Sequence, residues 1–340
     1  METNCDITVN QIKVDVLTLH RDGSEKIIYM DQKCWINLAK IYYGNPTKSE
    51  RNLLNKIIDT SENGTAAFPI SMVHLSETSS ISKPRWRQQL SSLMASISKC
   101  YTLTPHWTRI LDIEIQNLVL KTLGLPQYNI RKYWLGRGIP HLIGQKPSVI
   151  SDGHIDLKVL KKLEKELLNI LDDPKSLELL LTKKFSDKSL ERENINAVNQ
   201  FEKIRKNLQI IKDNDLRHRC FLAQNITATI TPRLVKTLIK FKLPKEFIKI
   251  LIPQDDIEKF LTSIPTALCE FKLLFYRDQQ LQRSIKVNDI ADIWHLTLAI
   301  PYSDVVITEN MWVTIAKQAK LDIICDTKML SSIMDLIDYL

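Results

Sequence analysis

Asn288-Asp289-Ile290-Ala291-Asp292-Ile293-Trp294-His295-Leu296-Thr297-Leu298-Ala299-Ile300-Pro301-Tyr302-Ser303-Asp304-Val305-Val306-Ile307-Thr308-Glu309-Asn310 is the stretch whose reading decides the fold. Its first half predicts a helix over 289–299. Asp289 and Asp292 stand three apart and so share a face, while Trp294, Leu296 and Leu298 fill other faces. Pro301-Tyr302-Ser303-Asp304 makes a tight connection. Val305-Val306-Ile307 has no polar alternation, as expected of a strand buried on both sides. A helix over 311–319, a strand over 321–325 and a last helix over 327–340 complete the reading of this end.

The other end of the chain shows the same alternation. Lys13 to His20 and Lys26 to Asp31 read as a β-hairpin turning at Asp22-Gly23. A helix follows from Gln32 to Tyr43 and is stopped by Gly44-Asn45-Pro46. A second helix runs from Ser49 to about Ser61, and a short strand, Ala66 to Ile70, precedes a helix that Ser71 can cap. Strands alternating with helices at both ends predict a parallel α/β sheet.

Between these ends, from 105 to 285, helix signals dominate. Ile155 to Leu171, Ser189 to Ile211, Arg233 to Phe241 and Ile257 to Arg283 carry apolar residues three or four apart. No Gly/Ser/Pro linker flanks the region. The expected organisation is therefore an N-terminal half of an α/β domain (1–104), a large all-helical insertion (105–285) and the C-terminal half of the same domain (286–340).

Composition bounds the function. The 340 residues are 44% hydrophobic and 25% charged, and no run reaches the ~18 apolar residues of a membrane span. No secretory signal opens the chain. Cysteines at 5, 34, 100, 220, 269 and 325 form no CxxC pair, so neither a zinc knuckle nor a disulfide frame is indicated. Reduced thiols in a cytoplasmic protein are the expectation. With eight glycines, a nucleotide cradle is not expected. The net charge is +8, yet 286–340 holds eight acids and four bases. A basic body around an acidic pocket suits a protein that holds a polyanion and cuts it with bound cations; a lysine-rich surface is the plainer reading.

The acids are the chemical candidates. Asp31 ends the first apolar strand, where an open parallel sheet places its ligands; it would also serve as a helix cap. Glu77 lies one to two turns into the helix after the second strand. Asp289 reads mainly as a cap, while Asp292 is deeper. Asp304 precedes and Glu309 follows the strand 305–307. Acids gathered at one sheet edge resist ionising together unless cations join them, and hard oxygen donors suit Mg2+ or Mn2+.

At this point the chain resembles the PIN-like ribonucleases. Ile27-Ile28-Tyr29-Met30-Asp31-Gln32-Lys33-Cys34-Trp35-Ile36-Asn37-Leu38-Ala39 looks like their first strand, aspartate and helix, and Ile70-Ser71-Met72-Val73-His74-Leu75-Ser76-Glu77 like their second strand and glutamate. Asp292, Ala299 and Thr308 keep the family's spacing. The resemblance covers roughly 25–100 and 286–327. It implies Asp31, Glu77 and Asp292 as catalytic and metal-binding acids. Where the family has its fourth aspartate, this chain has Asn310. Asp304 or Glu309 would take its place, and the Pro-Tyr-x-Asp form, which looks like that of a PIN-like subgroup, favours Asp304.

The implied function is a metal-dependent endoribonuclease using Mg2+ or Mn2+ on RNA, single-stranded or structured such as tRNA. A toxin or antiviral effector restrained by a regulatory protein, with oligomerisation open, is the matching biological role. The alternative is a catalytically degenerate PIN-like module that binds RNA or a protein partner. Lys83-Pro84-Arg85-Trp86-Arg87 and Arg131 to His141 mix cations with rings, as single-strand binders do, although buried tryptophans beside solvated arginines read the same way. His295, one turn from Asp292, is read as a core histidine before a site residue. Tyr302 is a candidate to line the pocket.

Overall fold

The computed structural model describes residues 25–145, 157–184, 188–252, 257–279 and 283–340. The first arm of the expected hairpin, 13–20, lies outside them. β1 (Lys26–Met30) pairs in parallel with β2 (Ala66–Ala67) on one side and with β5 (Val305–Ile307) on the other. β5 pairs in parallel with β6 (Lys328–Leu330), giving a four-stranded parallel sheet of order β2-β1-β5-β6. The chain is thus α/β and mostly helical.

The strands are short and apolar because both faces are covered. Ile27 and Tyr29 point into one core and Ile28 and Met30 into the other, as the period of two requires. The second core is closed by α1 (Gln32–Tyr43), α2 (Lys48–Glu62) and α4 (Pro84–Ser98). The first is closed by α5 (Trp107–Thr122) and the helices Asn214–Asn225, Thr231–Lys240 and Pro265–Asp278. The insertion therefore builds one wall of the sheet's own core. It is tied there through Glu114 of α5, which accepts hydrogen bonds from Thr266 N (3.0 Å), Thr266 Oγ1 (2.7 Å) and the Tyr302 hydroxyl.

The expected helices at 32–43, 49–61 and 71–79 stand, the last as α3 (Met72–Ser80). Three expectations need correction. The insertion is not all-helical: β4 (Leu135–Arg137) pairs antiparallel with β3 (Tyr101–Leu103). Three residues are too few to show alternation, and Gly136 is there because a Cβ would lie 2.4 Å from the His141 ring. Residues 321–325 are not a strand. Leu321–Ile324 is a helical turn entered through Lys320 at φ 58°: Leu321 alone enters the first core, while Ile323 (74% exposed) and Ile324 face outward, so the run is not a strand covered on both faces. The edge strand comes later, as β6, after Asp326 at φ 52°. The last helix begins late as well, as the 3-10 stretch Ile333–Tyr339.

Among the described residues no helix is long and apolar enough to cross a membrane. The described cysteines are free thiols, with Cys269 and Cys325 Sγ 3.8 Å apart.

Candidate active site at the carboxyl edge of the sheet

Asp31 is the residue immediately after β1. Its backbone N–H donates to Ile307 O (2.9 Å), which sets it beside the carboxyl end of β5. Its Oδ1 accepts from Cys34 N (3.0 Å). The cap reading is thus right, and the carboxyl also takes a hydrogen bond from the Thr308 side chain at the end of β5. Burial pushes the Asp31 carboxyl above the usual range, the Cys34 bonds oppose this, and Glu309 adds a like charge.

α3 is fastened to the same edge by His74. Ser71 N–H donates to its Nδ1 (2.9 Å), so Nε2 carries the proton and donates to Met30 O (2.8 Å). Burial drives the His74 pKa down to about 3, leaving a neutral anchor. Glu77, one turn on, is pushed up to about 7 by burial, then by Asp292, Asp31 and Glu309.

The third element is the helix Val287–Ala299, seated against β1 by the contact of Tyr29 with His295 (ring centroids 5.5 Å). Its Asp292 accepts from Trp312 Nε1 (2.9 Å). Burial raises Asp292 to about 7 against that bond, and Glu309, Asp289 and Asp31 raise it further. Asp289, by contrast, is the expected cap: Oδ2 accepts from Lys286 N (3.0 Å). The same carboxylate is paired with buried Arg277 (2.6 Å) and with Arg283 (3.0 Å).

Asp304 is where the sequence reading is corrected. It precedes a parallel strand and therefore sits at the amino edge. Its Oδ2 accepts from Ile27 N (2.6 Å), and its backbone bonds Ile27 O and Lys328 N (2.9 Å each). In register it lies four residues from Asp31's level, about 13 Å at ~3.3 Å per residue. Glu309, at the carboxyl end of β5, is the acid whose charge reaches Asp31, Glu77 and Asp292 alike. The signal for this was in the chain order: a strand parallel to β1 brings its own carboxyl end, not its amino end, beside Asp31. Asn310 opens the helix Asn310–Gln318 and is exposed.

The floor beneath the acids was missed. Tyr29 stacks on His74 (5.4 Å) and donates to or accepts from Ser71 Oγ (3.0 Å). His295 is buried, and burial lowers its pKa to about 4 against a backbone hydrogen bond with Ala291. These neutral rings make the desolvation that the carboxyls feel. Tyr302 does not line the site: it is half-buried against Glu114 and Trp134. The 131–141 segment is structural too, with Trp134 buried, Arg131 paired to Glu25 (3.1 Å) and Arg137 to Asp172 (3.3 Å).

Asp31, Glu77, Asp292 and Glu309 have no cationic side chain in an ion pair among the described residues. Their donor chemistry, all carboxylate oxygen, suits Mg2+ or Mn2+. Among the described residues no three His, Cys, Asp or Glu side chains stand together as a ready metal cage. Mg2+ needs none, since one or two carboxylates with water and substrate phosphate complete its shell. No family model, curated protein or solved structure matches this chain.

Proposed function

We propose that the chain is a metal-dependent endoribonuclease of PIN-like type, hydrolysing RNA phosphodiester bonds at the carboxyl edge of its sheet. One observation carries the reading. Four acids from four separate segments share that edge, and three of them are raised by burial and by one another with no cation beside them. Such repulsion is costly to fold and is relieved when a divalent ion joins the carboxylates. The all-parallel order β2-β1-β5-β6, with an acid directly after β1 and another after Thr308, supports the PIN-like resemblance.

Asp31, Glu77, Asp292 and Glu309 are the residues that would hold the ion. When bound, it supplies an activated water and positive charge for the leaving oxygen. The chain's own contribution is placement and protonation. Trp312 fixes the Asp292 carboxyl through Oδ2, His74 fixes α3 against Met30, and the Tyr29–His74–His295 floor keeps water from one side of the acids. With pKa values of about 7 in the absence of an ion, Glu77 and Asp292 would give up protons near neutrality when an ion joins them.

A non-catalytic RNA- or protein-binding module is the second reading, favoured by the lack of a preassembled three-ligand group among the described residues. Incubating an RNA with the protein and Mg2+ or Mn2+ separates the two. Cleavage that falls by orders of magnitude in Asp31→Asn and Asp292→Asn supports the enzyme. Cleavage undiminished in both overturns the site.

A further inference from the structure

The exposed face of α1 carries Lys33, Ile36, Asn37 and Lys40, spaced i, i+3, i+4, i+7 and so aligned along one side of the helix. A cavity of about 430 Å³ with a mixed polar and apolar lining runs beside it, with Asp31, Thr308, Lys33, Asn37, Lys40 and Ser331 among its lining residues. On the other flank lies an apolar trough of about 250 Å³, lined by Ile36, Ile81, Trp86 and Leu90. Lys40 borders both. Lys33 and Lys40 are exposed, and neither is in an ion pair among the described residues. Trp86 is 45% exposed, with Arg85 exposed beside it. Arg87 of the same segment is committed to structure, donating to Thr182 O and Ile81 O (2.7 Å each). Among the described residues, the acid lining this cavity besides Asp31 is Glu50, whose Oε2 accepts from Thr47 N and Oγ1 (2.8 Å each) in the α2 cap.

We propose that this face is a track for single-stranded nucleic acid, with backbone phosphates on Lys33 and Lys40 and an unpaired base against Trp86. The two lysines stand about 10 Å apart along the helix at ~1.5 Å per residue. Cations over a groove beside an exposed ring in an apolar trough are what an unpaired strand needs, a negative backbone with open base faces. A duplex hides those faces within its stack and would leave the trough unused. The proposal rests on the nuclease reading only for direction: the track leads to Asp31, so the reacting phosphate is the one at the N-terminal end of α1.

The test is binding of a fluorescent single-stranded oligoribonucleotide by anisotropy, in chelator so that no metal-dependent cleavage intervenes, across a range of salt. Trp86→Ala is expected to weaken binding about tenfold while Trp86→Phe keeps most of it, since stacking needs a ring and not the indole N–H. Lys33→Ala/Lys40→Ala is expected to reduce the slope of log K against log salt by about 1.4, two phosphate contacts at roughly 0.7 each. A duplex of the same sequence is expected to bind more weakly and to ignore Trp86→Ala. All of these side chains are exposed, and equal thermal melts confirm that the variants fold. The track is overturned if the wild type does not bind the strand, or if the Trp86→Ala and double-lysine variants bind with wild-type affinity and slope, as they would were this face a protein-docking surface. Failure of metal-dependent cleavage beside the expected binding pattern removes only the catalytic reading. Cleavage with unaltered binding in the variants removes only the track.

Discussion

Replacing Asp292 by Asn should stabilise the protein at alkaline pH while abolishing the proposed metal-dependent cleavage. The carboxyl is raised from 3.8 to about 7, mainly by burial and then by Glu309, Asp289 and Asp31. Three units correspond to a ceiling of about 4 kcal/mol at ~1.36 kcal/mol per unit. The group is part-exposed and coupled to its neighbours, so about 1–3 kcal/mol is the expected gain. Asn keeps an acceptor for Trp312 Nε1, so the gain is not lost to a broken bond. The sign follows from the proton count. The folded pKa lies above the unfolded one, so the folded state holds an extra proton between about pH 4 and pH 7. The stability this proton brings is full below the unfolded value and gone once pH has risen through about 7. Wild type should therefore weaken between about pH 4 and pH 7, and the Asn variant much less. At ~2.1 cal/mol/K per residue, unfolding this chain has an entropy near ~0.7 kcal/mol/K, so the variant should melt about 1–4 °C higher at pH 8 in chelator. At pH 5 the difference should fall to about a third of its pH 8 value, and it should vanish only below the unfolded pKa of about 4. A variant that melts lower than wild type at pH 8, or gains as much at pH 5, refutes the argument that these acids repel.

Glu309→Gln should lower metal-dependent cleavage at least tenfold and bring the Glu77 pKa down from about 7, read by carboxyl NMR, because Glu309 is a like charge on Glu77. Asp304→Ala should leave cleavage at the wild-type rate yet lower the unfolding free energy in denaturant melts by about 1–2 kcal/mol, since it strands the Ile27 N–H that donates to Oδ2. Arg277→Met should cost about 3 kcal/mol in denaturant melts by leaving buried Asp289 with Arg283 as its remaining partner.

Local grammar made much of the fold readable. The bounds of α1 follow from Asp31 as a cap and the Gly44-Asn45-Pro46 stop, and α2 begins where Thr47 and Glu50 form a capping box. The apolar runs 27–30 and 305–307 read as buried strands because both faces are covered. What was not readable depends on partners distant in the chain. β4 is a strand because β3 pairs with it, and Leu321–Ile324 is a turn because nothing covers Ile323. At the proposed site, Asp31, Glu77 and Asp292 came as a set from the resemblance, and the structure sets them close enough for their charges to act on one another. Asp304 was preferred for its tetrapeptide, against the direction of its strand, which places Glu309 at the shared edge. Trp312, Tyr29 and the His74 anchor carry no local signal at all, since each acts through a residue 20 or more positions away.

The central claim is that Asp31, Glu77, Asp292 and Glu309 bind a hard divalent ion at the cost of their protons. Calorimetric titration of Mn2+ into the protein, in buffers of different ionisation enthalpy, tests it most directly. Saturable binding that releases protons at pH 6.5–7, releases few at pH 8.5 and is lost in Asp31→Asn and Asp292→Asn is the expected result, because ligating carboxylates must be ionised. No saturable binding at any of these pH values, or binding that persists unchanged in both variants, would contradict the account.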